Sequence, residues 1–298
     1  MNSKSVKPYF YILLLFSAIF WGASFVFTKY LLHDFSPVSI IYIRTTVSGI
    51  FLLIFSILFL KSYLKIRKKD IKVILAFSFF EPFLYFIFET YSLQYTTSSI
   101  VSVIIATIPL FTALVSRYYF KENFSKTNMW GIFISMLGIA LMLLPDFLEN
   151  PAGITGAILA FCAVFAAVGY GYFIKKLPDT YHPVIVITYQ NLTGSILFLP
   201  LFLIMGLRNG FPANEAFLDI QNIVYLLILA IFCSSLAFIF MVKGIQVVGL
   251  GKSTVFNNLI PVFTAVISFI WLKESFPVYK ILGMVVVITG IFMAQRKS

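Results

Sequence analysis

Charge is scarce in this sequence. Of its 298 residues, 11% are charged and 60% hydrophobic, and the mean hydropathy is +0.98. A soluble domain of that length has too much surface to cover with so few charges, whatever fills its core. The composition therefore excludes a soluble globular protein and points to a chain solvated by lipid. Histidine and cysteine are rare as well, with two of each. Cys162 and Cys233 sit inside apolar runs, where a thiol behaves as a small hydrophobe, and their spacing offers neither a metal site nor a disulfide framework. His33 and His182 fall at helix ends near Pro37 and Pro183, which speaks against a histidine metal centre. There is no Gly-x-Ser-x-Gly and no phosphate-binding glycine loop, and the loops are too short for a nucleotide-binding domain. Neither an enzyme, nor a cofactor or metal, nor direct ATP drive within this chain is expected.

What the sequence does contain is a series of apolar runs. A spanning helix needs about 20 mostly apolar residues. Breaks at charges, proline and glycine predict ten spans: 9–32, 37–60, 72–94, 97–117, 127–145, 153–174, 183–206, 221–243, 252–272 and 278–295. The connections are short apart from the polar stretches 61–71 and 207–220. Lys4 and Lys7 precede the first run as the basic region of a secretory signal would. That run continues past Trp21 to Leu32 without a small-x-small cleavage pattern, so it reads as an uncleaved first span.

The net charge of +11 raises the question of a nucleic-acid partner. Topology answers it. With the N-terminus inside, 17 Lys and Arg fall on the cytoplasmic side and three, Arg208, Lys273 and Lys280, on the outer side. Cytoplasmic loops collect basic residues in this way. The distribution predicts cytoplasmic N- and C-termini in a plasma (inner) membrane, an even number of spans, and no nucleic-acid partner.

An internal repeat organises the chain. Residues 80–142 align without a gap on 232–294, displaced by 152 positions (from 109 to 261). Phe86-Ile87-Phe88 meets Phe238-Ile239-Phe240, and Gln94 meets Gln246. Ile108-Pro109 meets Ile260-Pro261, Phe111-Thr112-Ala113 meets Phe263-Thr264-Ala265, and Ser116 meets Ser268. Lys121-Glu122 meets Lys273-Glu274, and Gly131 and Gly138 meet Gly283 and Gly290. Earlier in each copy the match weakens, although Lys29 and Pro37 meet Lys175 and Pro183 at a displacement of 146 (from 37 to 183). Each copy holds five spans, and an odd number turns the second copy over in the membrane. The expected fold is all-α and polytopic, with ten transmembrane helices as two inverted five-helix repeats, 9–145 and 153–295. Inverted repeats of this kind are the architecture of alternating-access carriers.

These residues resemble the EamA-type domain of the drug/metabolite transporter superfamily, present twice. In the first copy the pattern stands as Trp21-Gly22-Ala23-Ser24, Lys29, Pro37 and Arg44, then Leu93-Gln94-Tyr95-Thr96-Thr97, Pro109, Lys121-Glu122, Gly131 and Gly138. The second copy keeps Pro261, Phe263-Thr264-Ala265, Lys273-Glu274, Gly283 and Gly290. It departs at the front, where Ala167 and Val168 replace the Trp-Gly pair and no arginine stands opposite Arg44. The resemblance covers nearly the whole chain. It implies a ten-helix carrier, often an exporter of amino acids or related metabolites, and names no particular substrate.

Ionisable groups inside a bilayer cost about 2.5–3.5 kcal/mol each on insertion scales and are functional candidates by default. Four are clear: Lys29, Arg44, Glu81 and Glu89. Arg44 and Glu89 fall at similar depth, so an ion pair between them is expected. Glu81 lies mid-span with no base at its level, and Tyr85 and Glu89 extend a polar stripe from it at helical spacing. A carboxyl in that setting can exchange a proton as the site is wetted and dried, or hold a substrate ammonium; the plainer reading is a protonated Glu hydrogen-bonded to a neighbouring helix. Pro82 interrupts the backbone ladder beside it. The acidic pair exists in one copy only, since Glu81 meets Cys233 and Glu89 meets Met241. Conversely, Asn257 and Asn258 replace Ile105 and Ala106, and point about 100° apart on a helix, so one of them is expected in the cavity. What one copy has alone belongs to substrate rather than to fold. Gln190 and Asn191 are weaker candidates. Trp21 and Tyr170, expected near mid-membrane, suit packing or a cation–π contact with an ammonium. Pro109 and Pro261 are expected to kink their spans, and the four repeated glycines to let spans five and ten approach closely.

The expected activity is secondary transport of a small molecule, with protons as a coupling ion and the lipid bilayer as surroundings. The alternative is a channel or lipid scramblase with the same bundle, which calls for a polar ring or a lipid-facing polar groove; neither is evident in the sequence.

Overall fold

The computed structural model describes residues 9–112, 126–149, 152–174, 176–177, 180–248, 253 and 255–294. They are helical, with no β-strand among them. The first copy runs α1 (Tyr9–Leu31), α2 (Pro37–Phe59), a 3-10 turn (Lys61–Tyr63), α3 (Lys68–Ser78), a π-helical segment (Phe79–Leu84), α4 (Tyr85–Tyr95), α5 (Ser98–Ile105) and α6 (Lys126–Glu149). The second runs α7 (Ala152–Ile174), α8 (Pro183–Asn209), the short α9 (Asn214–Leu218), α10 (Ile220–Leu227), a second π-helical segment (Ile228–Leu236), α11 (Ala237–Val248), a 3-10 segment (Val255–Leu259), α12 (Ile260–Trp271) and α13 (Val278–Ala294).

Six helical stretches among these residues are long and apolar enough to cross a membrane. Four shorter apolar helices, Ser98–Thr112, Met129–Met142, Phe256–Trp271 and Val278–Met293, fall on the other expected spans. The exposed face agrees with a lipid environment: Leu58 and Phe59 are 67% and 70% exposed, Trp130 60% and Phe269 63%. Bulky apolar side chains outside and buried Arg44, Glu89, Gln190 and Asn191 inside invert the pattern of a soluble protein. The chain is a multi-pass, all-helical membrane protein.

Local sequence explains the helix starts and breaks. Ser36 caps α2, its hydroxyl accepting from the Ser39 amide at 3.2 Å, with Pro37 at the first position. His182 does the same for α8 through Nδ1, which accepts from the Val184 amide at 3.3 Å ahead of Pro183. At Glu81 the backbone leaves helical geometry (φ −146°, ψ 117°), and the Glu81–Pro82 bond is cis. The corresponding stretch of the second copy is also π-helical, although it lacks the proline. In span four, helical geometry lapses at Ala106–Thr107, just before Pro109, and in span nine the 3-10 segment lies just before Pro261.

Helix contacts come in corresponding sets. The two copies of span five, α6 and α13, pack most extensively, followed by the two copies of span two, α2 and α8. α4 packs on α7 as α11 packs on α1, and α5 packs on α7 as α12 packs on α1. Close approach of α6 and α13 depends on glycine. A methyl group built at Gly138 would lie 2.7 Å from the Val287 amide nitrogen, and one at Gly290 would lie 2.7 Å from the Gly131 carbonyl oxygen. Gly22 plays that part between α1 and α12, where its carbonyl accepts from Thr264 Oγ1 at 3.1 Å. Along α2, hydroxyls pair with hydroxyls of the second copy: Thr46 with Ser195 at 2.6 Å, Ser48 with Ser235 at 2.7 Å and Ser56 with Thr188 at 3.3 Å.

Side-chain contacts identify the two ends of the bundle. At one end Lys29, Thr96, Ser98 and Glu274 meet, close to the Trp271–Tyr225 and Asn222–Asp34 hydrogen bonds. At the other end Tyr181 donates to Asp70 Oδ2 at 2.7 Å, Arg67 pairs with the same oxygen at 2.7 Å, and Gln246 donates to the Tyr181 carbonyl at 3.1 Å.

Candidate functional site

A cavity of about 120 Å³ opens between the two copies. Trp21, Arg44, Glu81, Tyr85, Glu89, Tyr170 and Asn257 all line it. Asn258 does not: it is 1% exposed and turned away, so of the adjacent pair it is Asn257 that reaches the space. The stripe of Glu81, Tyr85 and Glu89 faces inward as its spacing predicts, with Glu81 delivered by the π-helical segment rather than by a regular turn.

Arg44 departs from expectation. Arg44 and Glu89 make no direct salt bridge, unlike Arg67 and Asp70 at the end of the bundle. Instead, Arg44 Nε donates to Ser234 Oγ at 2.9 Å, and the guanidinium lies over the Phe86 ring at 4.2 Å from its centre. Arginine stacks well on an aromatic face while its edge hydrogen-bonds, and this geometry holds the head group without a carboxylate. The physical reason is competition: Ser234 and Phe86 provide a complete seat on one side, which leaves the other side of the guanidinium towards the cavity. Arg44 Nη1 accordingly has no hydrogen-bond partner among the described residues. The same is true of Glu89 Oε2 and of Asn257 Oδ1. A buried polar atom without a partner costs on the order of 1–3 kcal/mol, more when charged, so three around one cavity need an explanation.

The remaining lining is apolar, aliphatic side chains such as Ile105, Ile108, Met241 and Ile260 alternating with aromatic ones. Trp21 meets Phe238 edge to face at 5.0 Å between ring centres. Tyr170 lies edge-on to Phe77 at 6.0 Å, and its hydroxyl donates to Gln190 Oε1 at 3.4 Å. Gln190 thus supports a lining residue, whereas Asn191 bonds the backbone carbonyls of Ile187 and Ser234 at 3.1 and 3.0 Å and ties helices together. Cys233 is a packing residue, its thiol directed at the Phe20 carbonyl. Sequence reasoning missed Phe86 and Ser234 as partners of Arg44. The repeat carried a signal for Phe86, whose copy Phe238 also lines the cavity.

The cavity is asymmetric from end to end. It extends past Ile174 and Ile245, towards the end marked by Tyr181. On α4 its lining stops at Glu89; Leu93, one turn further, is completely buried. No cluster of three or more His, Cys, Asp or Glu suited to a metal occurs among the described residues.

A mostly apolar cavity carrying a few convergent polar side chains, set between two sets of corresponding helices inside a multi-pass membrane protein, is the kind of site a membrane transporter needs. The family profile agrees, matching twice, over residues 9–144 and 154–295: the chain belongs to the EamA-like transporter family. Its relatives include the uncharacterized transporter YetK of Bacillus subtilis (strain 168), 27% identical, with 86% of this chain and 77% of the relative aligned. An uncharacterized transporter of Archaeoglobus fulgidus is also 27% identical, over 96% of this chain and 99% of its own length. A solved crystal structure superposes with a TM-score of 0.61 at 12% identity, covering 93% of this chain and 97% of that one, which is a likeness of fold.

Proposed function

We propose that this transporter is a secondary active carrier, exporting a small zwitterionic metabolite such as an amino acid by alternating access. The observation that carries the reading is the set of partnerless atoms around one cavity: one cationic donor, Arg44 Nη1, and two acceptors, Glu89 Oε2 and Asn257 Oδ1. Their complement is a molecule with a carboxylate at one end and an ammonium group at the other. Bidentate geometry favours Arg44 for the carboxylate, and the carboxyl and amide oxygens suit an ammonium. Trp21 and Tyr170 add aromatic faces beside the cation.

The corresponding helix contacts support ten spans as two inverted five-helix repeats, since the most extensive packings between the copies come in matched pairs. In that arrangement one copy rocks against the other and exposes the cavity to each side in turn. Glu81 has no ion-pair partner among the described residues and is our candidate for the proton-coupling group. The distribution of basic residues supports a cytoplasmic Tyr181 end and cytoplasmic termini in a plasma membrane, and accounts for the positive charge without a nucleic-acid partner.

Purified protein in proteoliposomes, loaded with radiolabelled amino acids and given a pH gradient of either sign, tests the reading. Saturable flux, accelerated by unlabelled substrate on the far side and altered by the gradient, is expected. Flux without counterflow would instead favour a channel, lipid movement without solute a scramblase, and no flux of any zwitterion would sink the assignment.

A further inference from the structure

Two charged side chains outside the cavity, Lys29 and Glu274, converge on one corner of the chain. The corner is Thr96–Thr97, where α4 ends and α5 begins. Lys29, from the last turns of α1, donates through Nζ to the carbonyls of Leu93 and Thr96, the latter at 3.0 Å. Those carbonyls are at the negative end of α4. Glu274, from the loop after α12, accepts from the Ser98 amide at 2.9 Å through Oε1 and from the Ser99 hydroxyl at 2.6 Å through Oε2. Those donors are at the positive end of α5. The two charges do not form an ion pair with each other; each is matched to a helix end of opposite sign.

The loop that presents Glu274 is unusual in its backbone. Lys273 has φ 53°, the one non-glycine residue with positive φ among those described. A residue in that region is held there at a cost by its surroundings, and such positions gather at clamps and switches. On its inner side the corner is closed: Thr28, Leu31, Leu93 and Ser98 are completely buried, while Gln94 and Tyr95 face outward. This is the end at which the cavity stops, one turn beyond Glu89.

We infer that Lys29 and Glu274 form a latch on the Thr96–Thr97 corner, which keeps the cavity shut at that end and whose release opens it. The inference rests on the carrier reading given above, because a shut end matters only if it opens. Glu274 belongs to the second copy and the corner to the first, so the latch joins the parts that must separate. Lys29 fastens α1 to the same corner. The cargo touches neither residue. The latch sets which side is open, and the cavity sets what is bound.

The test reads accessibility and needs no cargo. In a Cys162→Ser, Cys233→Ser background, Ile108→Cys places one thiol on the cavity wall, and intact cells are treated with a membrane-impermeant sulfonated maleimide. The parent should label slowly from outside. Glu274→Ala and Lys29→Met should each raise that rate by about tenfold, as expected for loss of charge-assisted hydrogen bonds to helix ends. Glu274→Asp should return part of the protection. Labelling of inverted membrane vesicles should fall in step. Gel filtration of each variant confirms that the labelled protein is folded, and the two variants act at different ends of the corner, so failure of one to fold leaves the other decisive. Unchanged labelling in a folded Glu274→Ala or Lys29→Met protein would overturn the latch, even if vesicles show robust transport. Conversely, absent transport with shifted labelling would retain the latch and reject the cargo assignment.

Discussion

Arg44 Nε donates to the hydroxyl of Ser234 at 2.9 Å, across the boundary between the two copies. Ser234 stands at the repeat position that Pro82 fills in the first copy, so the serine seats the arginine where a proline could not. The cavity wall is thereby built by both copies, although Arg44, Glu81 and Glu89 all come from one.

That seat makes a kinetic prediction. Ser234→Ala should weaken substrate binding, raising KM several-fold with little change in maximal rate, since an interhelical hydrogen bond in a membrane is worth about 0.6–1.7 kcal/mol. Arg44→Lys should not restore function, because an ammonium has no fork to stack on Phe86 while bonding Ser234. Zero-trans flux in proteoliposomes measures both.

Absence of a direct Arg44–Glu89 bridge changes what a double substitution should do. Were the two paired, removing both would relieve the charge that each single change strands. With the cargo between them, Arg44→Ala, Glu89→Ala and the double variant should all lose uptake, and the double should be no better than either single. A clear recovery in the double would show direct coupling.

Glu81→Gln should fold and insert normally but lose the response of transport to a pH gradient. Flux that still follows the gradient would reduce Glu81 to a packing residue.

The α6–α13 crossing has no room for a side chain. Gly138→Val or Gly290→Val should lower stability by about 1–3 kcal/mol, the ordinary cost of overpacking, and reduce the melting temperature in detergent. Gly153→Ala, where nothing lies within 4 Å of the added methyl, serves as the neutral comparison.

His182 offers a pH dependence outside the membrane core. Its Nδ1 caps α8 as an acceptor, which requires the neutral ring. Burial, and then the nearby Lys243, hold its pKa below the ordinary 6.5. The folded state therefore resists protonation more than the unfolded chain does. Stabilisation from the cap is complete above pH 6.5 and is lost as the pH falls through the lowered folded value. Melting temperature should drop on acidification below that point, and His182→Asn, which caps without titrating, should flatten the curve.

Much of this molecule is legible in its residues because lipid imposes simple rules. Apolar runs mark helices, and the displaced Pro109/Pro261 and Gly138/Gly290 pairs mark what both copies need for packing. The single-copy polar groups Glu81, Glu89 and Asn257 stand out against that background, and the structure brings them to one cavity. What could not be read is contact across the copies. Depth places Arg44 and Glu89 at one level, but depth does not say which way a long side chain turns, and the Ser234–Phe86 seat decides it. Likewise, the adjacent Asn257 and Asn258 differ by a helical rotation that only the local 3-10 segment settles. Lys121-Glu122 and Lys175, the copies of Lys273-Glu274 and Lys29, lie outside the described residues.

The row of hydroxyls between α2 and the second copy, two on α8 and one on the π-helical segment, has a mechanical consequence. A hydroxyl gives and accepts alike, so when one helix slides along the other a lost bond can be replaced by an equivalent one further along. Interlocked branched side chains would have to unlock; these need only trade partners. In an alternating-access carrier such a seam would serve as a lubricated bearing, holding firm at rest and offering little friction in motion.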